Sequence, residues 1–410
     1  MSTHNKNKIL NDPVYGFITI QHELSFDLMD HPFVQRLRRI SQLGLSHVVY
    51  PGAVHNRFHH AIGALHLMQE AIAVLRAKGT QISDKEGEAA CAAILLHDIG
   101  HGPFSHALEH SIVKGVHHED ISALIMSRLN DEMNGALDTA IAIFNDHHPK
   151  RFLHQLVSSQ LDMDRMDYLA RDSFYSGVAE GKIGSERIIK MLAVKDDRLV
   201  VEEKGIYSIE KFLMARRLMY WQVYLHRTVL CAEFMLMHVL KRAKALALSG
   251  TEVFTTPALS IFINESLDRA KFIADPEILN RFCELDDSDI TCALKVWQHH
   301  DDAILSNLSK RIVHRDLFRI ELQSAPFSAA EVEDTIKLVA QAFDLDKADA
   351  SELVINDTIE NSLYSQEGIS IQYKNGSTLD FAEASDQLNR EILTRTVRKS
   401  FLCYPKEVTR

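Results

Sequence analysis

Ala93-Ile-Leu-Leu-His-Asp-Ile-Gly-His-Gly-Pro-Phe-Ser-His106 reads as the end of an apolar helix that delivers two adjacent ligand-type side chains, His97 and Asp98. A His-Asp pair at a helix end aims an imidazole nitrogen and a carboxylate oxygen at one divalent cation. Gly100 and Gly102 let the backbone turn tightly beside such an ion, and Pro103 stops the helix from running on. Alone, a His-Asp dipeptide is far more often a solvated pair, and two other stretches overturn that. Asn56-Arg-Phe-His-His60 opens an apolar periodic run through Ile62, Leu65, Leu67, Met68 and Ile72. Leu161-Asp-Met-Asp-Arg-Met-Asp-Tyr-Leu-Ala-Arg-Asp172 lies downstream. His60, His97, Asp98 and Asp164 then make two imidazoles and two carboxylates, a set suited to a borderline divalent ion with positions open for water and phosphate.

The pattern around this stretch is mostly helical to about residue 312. Phe17–Ile20 reads as a short strand, and helical runs are expected near 30–43, 58–77, 84–97, 118–129, 135–145 and 151–160. Ser83-Asp-Lys-Glu86 has the form of a capping box opening the helix that carries His97. Leu199–Glu203 with Lys204-Gly205 suggests a small hairpin before a long helix over about 208–248. From about residue 313 the character changes. Phe318–Leu322, Ile369–Tyr373 before Asn375-Gly376, and Phe401–Tyr404 read as strands around a helix at Ala329–Phe343. The expected organisation is a strand and turn segment at 1–30, a helical core at 31–312 and a small α+β lobe at 313–410.

Composition bounds the function. The 410 residues are 46% hydrophobic and 25% charged, ordinary for a globular chain with a real core. A net charge of −11 disfavours general binding to nucleic-acid phosphates, though local cations and a metal can still hold a polyphosphate. The five cysteines, Cys91, Cys231, Cys283, Cys292 and Cys403, show no paired spacing and are expected to be reduced, buried thiols. The first residues lack the apolar core of a signal peptide, and no run reaches the roughly 18 apolar residues of a membrane span, so a cytoplasmic location without membrane contact is expected.

The order His60, His97-Asp98, Asp164 resembles the metal-binding signature of the HD-domain phosphohydrolases. Flanking strings resemble one branch, the deoxynucleoside triphosphate triphosphohydrolases: Asn11–Gly16, Pro32-Phe-Val-Gln-Arg-Leu-Arg-Arg-Ile-Ser-Gln-Leu-Gly44, and Tyr50–His60. The likeness covers about the first 230 residues, with a weaker echo to about 320. It implies a mostly α fold with an HD-domain helical core, and a divalent metal (Mn, Fe, Mg, Ni or Zn) on His60, His97, Asp98 and Asp164. It also implies hydrolysis of a dNTP to deoxynucleoside and inorganic triphosphate by water attack at the α-phosphorus. His106 then matches the general acid, His101 and His118 match phosphate-site histidines, and Glu119 orients His118. Arg57 and Arg165 match phosphate contacts, with Arg165 standing where several relatives have Lys. Gln42, Leu43, Tyr168 and Asp172 match positions that hold the 3′-hydroxyl and press on the sugar edge, although Leu43 and Tyr168 also suit helix packing. Tyr224, His226 and Arg227 match a stretch in or beside the pocket. No residue reads the base, so broad base tolerance is expected.

A further set concerns regulation. Lys8, Ile9, Asp30, Gln35 and Arg38 match residues that hold an activating guanine nucleotide between subunits, and Arg315 and Arg319 resemble a second piece of that site. This implies a dGTP or GTP activator and a homo-oligomer, a dimer or tetramer. On periodicity alone, Arg36, Arg38 and Arg39 are equally the charged face of an amphipathic helix. Two other readings stay open: an HD phosphohydrolase acting on a ribonucleotide, cyclic nucleotide or guanosine polyphosphate, and a non-catalytic nucleotide sensor.

Overall fold

The computed structural model describes residues 8–104, 113–361, 364, 368–388 and 396–409. Lys8–Asp12 pairs antiparallel with Gly16–Ile20, so the strand expected at Phe17–Ile20 finds its partner just upstream. Asp12 closes the connecting turn by accepting the Val14 and Tyr15 amides at 2.9 Å. Helix α1 (Glu23–Asp30) follows, within a segment expected to be strand and turn.

The single helix expected over 30–43 does not form. One helical turn at Pro32–Gln35 passes into a 3-10 turn at Arg36–Arg39, and Ile40 is extended. Tertiary hydrogen bonds outweigh the helical ladder here. Arg36 is 1% exposed and donates to the carbonyls of Ile99, His101, Leu285 and Phe282. The Ile40 carbonyl accepts the Arg57 amide, and the Asp287 carboxylate accepts the Ser41 amide. The charged face is replaced by three separate environments. Arg36 is interior, Arg38 lies 3.7 Å from the centre of the Phe58 ring, and Arg39 pairs with Asp286.

Helices α2 (Arg57–Ala77) and α3 (Asp84–Leu96) form the interior of the core. Asn56 opens α2 by accepting the His59 amide at its side chain, and the His59 ring nitrogen accepts the Asn56 backbone amide in return. The capping box expected at Ser83–Glu86 is present, with bonds of 2.8 and 3.2 Å. From Ala89 to Leu96, α3 is buried on every side, which marks it as a core helix and not a surface one. Each large apolar side chain buried there contributes about 1.5–3 kcal/mol relative to exposure.

Helices α4 (His118–Glu132) and α5 (Met163–Ser176) complete the frame of the site. The long helix expected over 208–248 is broken into α6 (Ile206–Met219) and α7 (Arg227–Leu248) by a π turn at Tyr220–Tyr224, with a bend of 57°. The break is specified by side chains. His226 caps α7 by accepting the Thr228 amide at 3.2 Å, while the Tyr224 hydroxyl reaches back to Asp172 on α5 at 2.8 Å. Among the described residues no single helix is long and apolar enough to cross a membrane. Helix α8 (Asp287–Trp297) brings its first turn against the 36–41 segment.

In the C-terminal region Val397–Tyr404 lies between Arg319–Gln323 and Ile355–Asn361 in an antiparallel sheet. The intervening helix spans Ala329–Phe343, as expected. Ser370–Gln372 turns at Asn375-Gly376 into Thr378–Asp380, and Gly376 takes φ +83°, a conformation open to glycine without a Cβ clash. This hairpin joins the Leu192–Lys195/Arg198–Glu202 hairpin, with Ser370–Gln372 parallel to Arg198–Glu202. One small sheet is therefore shared between the helical core and the C-terminal region. All five thiols are free, and the expectation that all are buried fails at Cys292, which is exposed on α8.

Candidate metal centre and cleft

Three helix ends deliver the candidate ligands. The first turn of α2 carries Arg57 and His60. The end of α3 presents His97 and Asp98, and Ser122 of α4 holds that end by donating its hydroxyl to the His97 carbonyl and accepting the Gly100 amide. Gly100 is needed there because a Cβ would lie 2.2 Å from the His118 carbonyl oxygen. Asp162 caps α5 by accepting the Arg165 amide at 2.7 Å, which sets Asp164 in the first turn.

The side chains converge. Asp164 Oδ1 lies 3.2 Å from His60 Nε2 and 3.4 Å from His97 Nε2. Asp98 reaches His97 Nε2 at 3.4 Å through Oδ1 and His60 Nε2 at 3.7 Å through Oδ2. The outer nitrogens are committed: His60 Nδ1 donates to Asp167 at 2.8 Å, and His97 Nδ1 to the Ile94 carbonyl at 2.7 Å. In their neutral form the rings point lone pairs inward beside two carboxylates, which is the donor set of a divalent-cation site. Burial alone would lower the basicity of His60, but hydrogen bonds to Asp164 and Asp167 push its pKa up to about 10. Burial opposes ionisation of Asp164, yet hydrogen bonds from His60 and His97 hold its carboxyl well below the usual range. His60, His97 and Asp164 form one group able to hold a metal ion, and Asp98, His101 and His118 form a second.

A cleft of about 580 Å³ opens on this centre. Its walls include Gln42, Leu43, Arg57, His97, Asp98, His101, His118, Glu119, Asp164, Arg165, Tyr168, Asp172 and Tyr224. His60 lies fully buried behind it. The arginines are tethered: Arg57 Nη1 donates to Asp98 at 2.5 Å, and Arg165 pairs with Asp162. The His101 and His118 ring centres lie 3.9 Å apart with the planes tilted by 32°, and Glu119 is 3.3 Å from His118 Nε2. Asp172 accepts at both oxygens, from buried His55 at 2.7 Å and from Tyr224 at 2.8 Å.

The chain matches the model of the HD domain over residues 57–172 and that of the HD associated region over 183–255. An uncharacterised Bacillus subtilis protein, YwfO, is 36% identical over 324 residues, which is 77% of this chain and 72% of that one. The chain belongs to the HD-domain phosphohydrolases. The crystal structure of a phosphohydrolase from Bacteroides thetaiotaomicron is similar at 54% identity and a TM-score of 0.95, covering 97% of this chain and all of that one. A Dictyostelium discoideum protein named deoxynucleoside triphosphate triphosphohydrolase SAMHD1 homolog is 33% identical over 258 residues, 57% of this chain and 49% of its own length. The match spans about half of that relative.

In this HD-domain protein the remaining expected residues fall as follows. His106 lies outside the described residues. His226 is not part of the cleft wall: it caps α7, and its ring meets Tyr50 edge-on at 5.9 Å. Lys8 pairs with Asp30 at 3.2 Å and Arg38 donates to Gln35 at 2.7 Å, while Gln35 donates to the carbonyl of Met29, the residue before Asp30, at 2.8 Å; Ile9 is exposed. Arg315 donates to the Val48 carbonyl instead, and Arg319 sits on the strand paired with Tyr404.

The HD-domain centre also rests on residues that the sequence reading missed. Arg171, fully buried, donates to both oxygens of Asp167 at 3.0 Å and to Asp12 at 2.7 Å, which fixes the acceptor of His60. Gly63 leaves room for that pair, since a Cβ there would lie 2.0 Å from Asp167 Oδ1. The spacing Asp164, Asp167, Arg171 on one helix face was the available signal. Asp287 accepts the Ser41 and Phe104 amides at 2.8 Å, tying the segment before Gln42 to the loop after His101. No local pattern announced it.

Proposed function

We propose that this HD-domain phosphohydrolase cleaves deoxynucleoside triphosphates to deoxynucleoside and inorganic triphosphate. The observation that carries the reading is the sorting of one cleft. Imidazoles, guanidinium groups and candidate metal ligands share it with a Gln, an Asp and tyrosines suited to a sugar. The likeness to a relative named for this activity supports it.

When bound, a divalent metal supplies a Lewis acid that polarises a phosphoryl oxygen and makes water a better nucleophile at neutral pH. The chain's own residues do the rest. Arg57, Arg165, His101 and His118 oppose the phosphate charge, and Glu119 orients His118. His106 protonates the departing 5′ oxygen, so that the bond from phosphorus to the 5′ oxygen breaks as water's oxygen joins the α-phosphorus. Asp172, held by His55 and Tyr224, accepts the 3′-hydroxyl, while Leu43 and Tyr168 crowd the 2′ position and favour deoxyribose. Activation by a guanine nucleotide at Lys8, Asp30, Gln35 and Arg38, in a cytoplasmic homo-oligomer, belongs to the same proposal.

The test is incubation with each of the four dNTPs and with GTP, with Mn or Mg, with and without dGTP, and chromatography of the products. Stoichiometric triphosphate and deoxynucleoside are expected. Release of orthophosphate or pyrophosphate instead, or turnover of ribonucleotides alone, overturns the reading in favour of another phosphate ester.

A further inference from the structure

His55 lies behind the cleft wall, 1% exposed, and reaches two residues that face the cavity. Its ring nitrogen Nε2 bonds to Asp172 Oδ1 at 2.7 Å, and its backbone carbonyl accepts the Gln42 amide at 3.1 Å. Gln42 and Asp172 both belong to the wall. The backbone bond is part of a short antiparallel bridge in which Ser41 faces Asn56 and the Ile40 carbonyl accepts the Arg57 amide. Main chain and side chain of His55 thus reach both residues expected at the sugar 3′-hydroxyl.

The ring is held in one plane. It stacks on the Tyr175 ring with centres 4.4 Å apart and planes 14° apart. Tyr175 and Asp172 are three residues apart on α5 and so occupy neighbouring positions on its surface. The imidazole therefore meets α5 twice, flat against Tyr175 and through its edge to Asp172. Gly52 permits the close approach, since a Cβ there would lie 2.6 Å from the Tyr175 carbonyl oxygen. His55 Nδ1 is buried and has no hydrogen-bond partner among the described residues. A neutral imidazole carries one N–H. On Nε2 it meets Asp172, whereas on Nδ1 it would be dry and unpaired, so the donor faces Asp172.

This arrangement fixes what Asp172 can accept. Its second oxygen takes the Tyr224 hydroxyl at 2.8 Å, so the carboxylate cannot turn without breaking a bond. A carboxylate has about four lone-pair sites, which leaves room for a third donor. An acceptor of this kind takes a hydroxyl and repels phosphate, which Arg57, Arg165, His101 and His118 are placed to hold. Without the His55 donor, Asp172 would hang on Tyr224 alone, and its lone pairs would lose their aim.

We propose that His55 is the positioning residue of the sugar end of this cleft: its stacked ring aims the Asp172 carboxylate and thereby sets the preference for a nucleotide that carries a 3′-hydroxyl. The inference rests on the nucleotide reading of the cleft but not on the bond that is cleaved.

The test is equilibrium binding of the α,β-imido analogues of dATP and of 2′,3′-dideoxy-ATP to the metal-loaded protein as wild type, H55F, H55N and H55Q. Wild type should bind the deoxy analogue about tenfold or more tightly than the dideoxy one, because the latter leaves Asp172 without its third donor. H55F keeps a stacked ring and removes the donor. Its preference should fall to within about threefold, with affinity for the dideoxy analogue and metal content unchanged. H55N is polar but too short to reach Asp172; it should behave as H55F does, and it carries the expectation if H55F does not fold. H55Q places an amide N–H near the position of Nε2 and should recover the preference. A preference that survives the loss of the donor overturns the proposal. So does an equal loss for both analogues, or a loss that H55Q does not reverse. Wild type that binds neither analogue sinks the nucleotide reading and this inference together. Wild type that shows the preference yet releases no triphosphate from dATP sinks only the reaction assigned above.

Discussion

His60 and His97 face each other Nε2 to Nε2 at 3.4 Å, while their Nδ1 atoms are held by Asp167 and the Ile94 carbonyl. In their neutral forms neither ring donates across that gap, so two lone pairs meet beside the carboxylates of Asp98 and Asp164. A cation between them resolves the conflict.

Replacing Asp164 with Ala removes one of the two anionic donors and leaves the helix cap, which belongs to Asp162, in place. Metal content by elemental analysis and hydrolysis should both fall steeply, with the helical circular-dichroism signal retained. A variant with full metal occupancy and full activity removes Asp164 from the ligand set.

Asp167→Ala acts one step further out. It takes the acceptor from His60 and leaves Arg171 buried with Asp12 alone. Breaking a buried pair costs about 3–5 kcal/mol, and loss of a ligand's supporting partner weakens metal binding about 10–100-fold. Urea unfolding and a metal titration read the two effects separately. If neither the unfolding midpoint nor the metal affinity moves, the Asp12–Arg171–Asp167 chain has no supporting role.

What was legible in the sequence was local. The Ser83–Glu86 box, the apolar length of α3 and the Asn375-Gly376 turn each declare themselves within a few residues, and each forms. The candidate ligands were legible because helix ends place them. The failures are tertiary. Arg36 looked like one of three surface charges until four carbonyls from distant segments claimed it. The helix over 208–248 looked continuous because no Gly or Pro interrupts the run where the π turn at Tyr220–Tyr224 breaks it. Asp287 acts through partners that no short window contains.

The activator proposal is tested by the double change Gln35→Ala with Arg38→Ala. Gln35 and Arg38 are bonded to one another, and Arg38 lies over Phe58; among the described residues neither bonds to a candidate metal ligand. The variant should lose stimulation by dGTP while metal occupancy stays at the wild-type level. Sedimentation with and without dGTP, beside initial rates on dATP, reads assembly and activation together. Wild type whose mass and rate both ignore dGTP ends the activator reading without touching the catalytic one.

Asp302 joins α7 to the helix that follows it, accepting from Arg242 at 3.1 and 2.6 Å and capping with the Leu305 amide at 2.8 Å. Burial alone would raise its pKa, but the Arg242 hydrogen bonds hold it below the ordinary value. A depressed native pKa means that this stability is present above the unfolded value, near about 4, and is lost as pH falls through the native one. Asn keeps the cap and loses the charge, so D302N should cost about 1 kcal/mol at pH 7. The gap to wild type should close in acid. A gap that stays constant from pH 7 to pH 3 rejects the ion-pair account.

Asp287 ties together two segments that must keep their spacing. One oxygen holds the Ser41 amide, just ahead of Gln42 and Leu43, and the other holds the Phe104 amide, just past His101 and Pro103. Asp287→Ala leaves both amides without their acceptor, at about 1–3 kcal/mol for each one that stays dry. None of the four candidate ligands bonds to Asp287, so metal content should be preserved. The turnover kcat should fall and KM should rise, because the substrate wall and the loop beside the metal drift together. Asp287→Asn keeps one strong acceptor and should lie between the two. The decisive comparison is at a temperature where the Ala variant is fully folded by circular dichroism. Wild-type kinetics there would show that the two segments hold their spacing without this carboxylate, and loss of metal instead would place Asp287 closer to the centre than its bonds indicate.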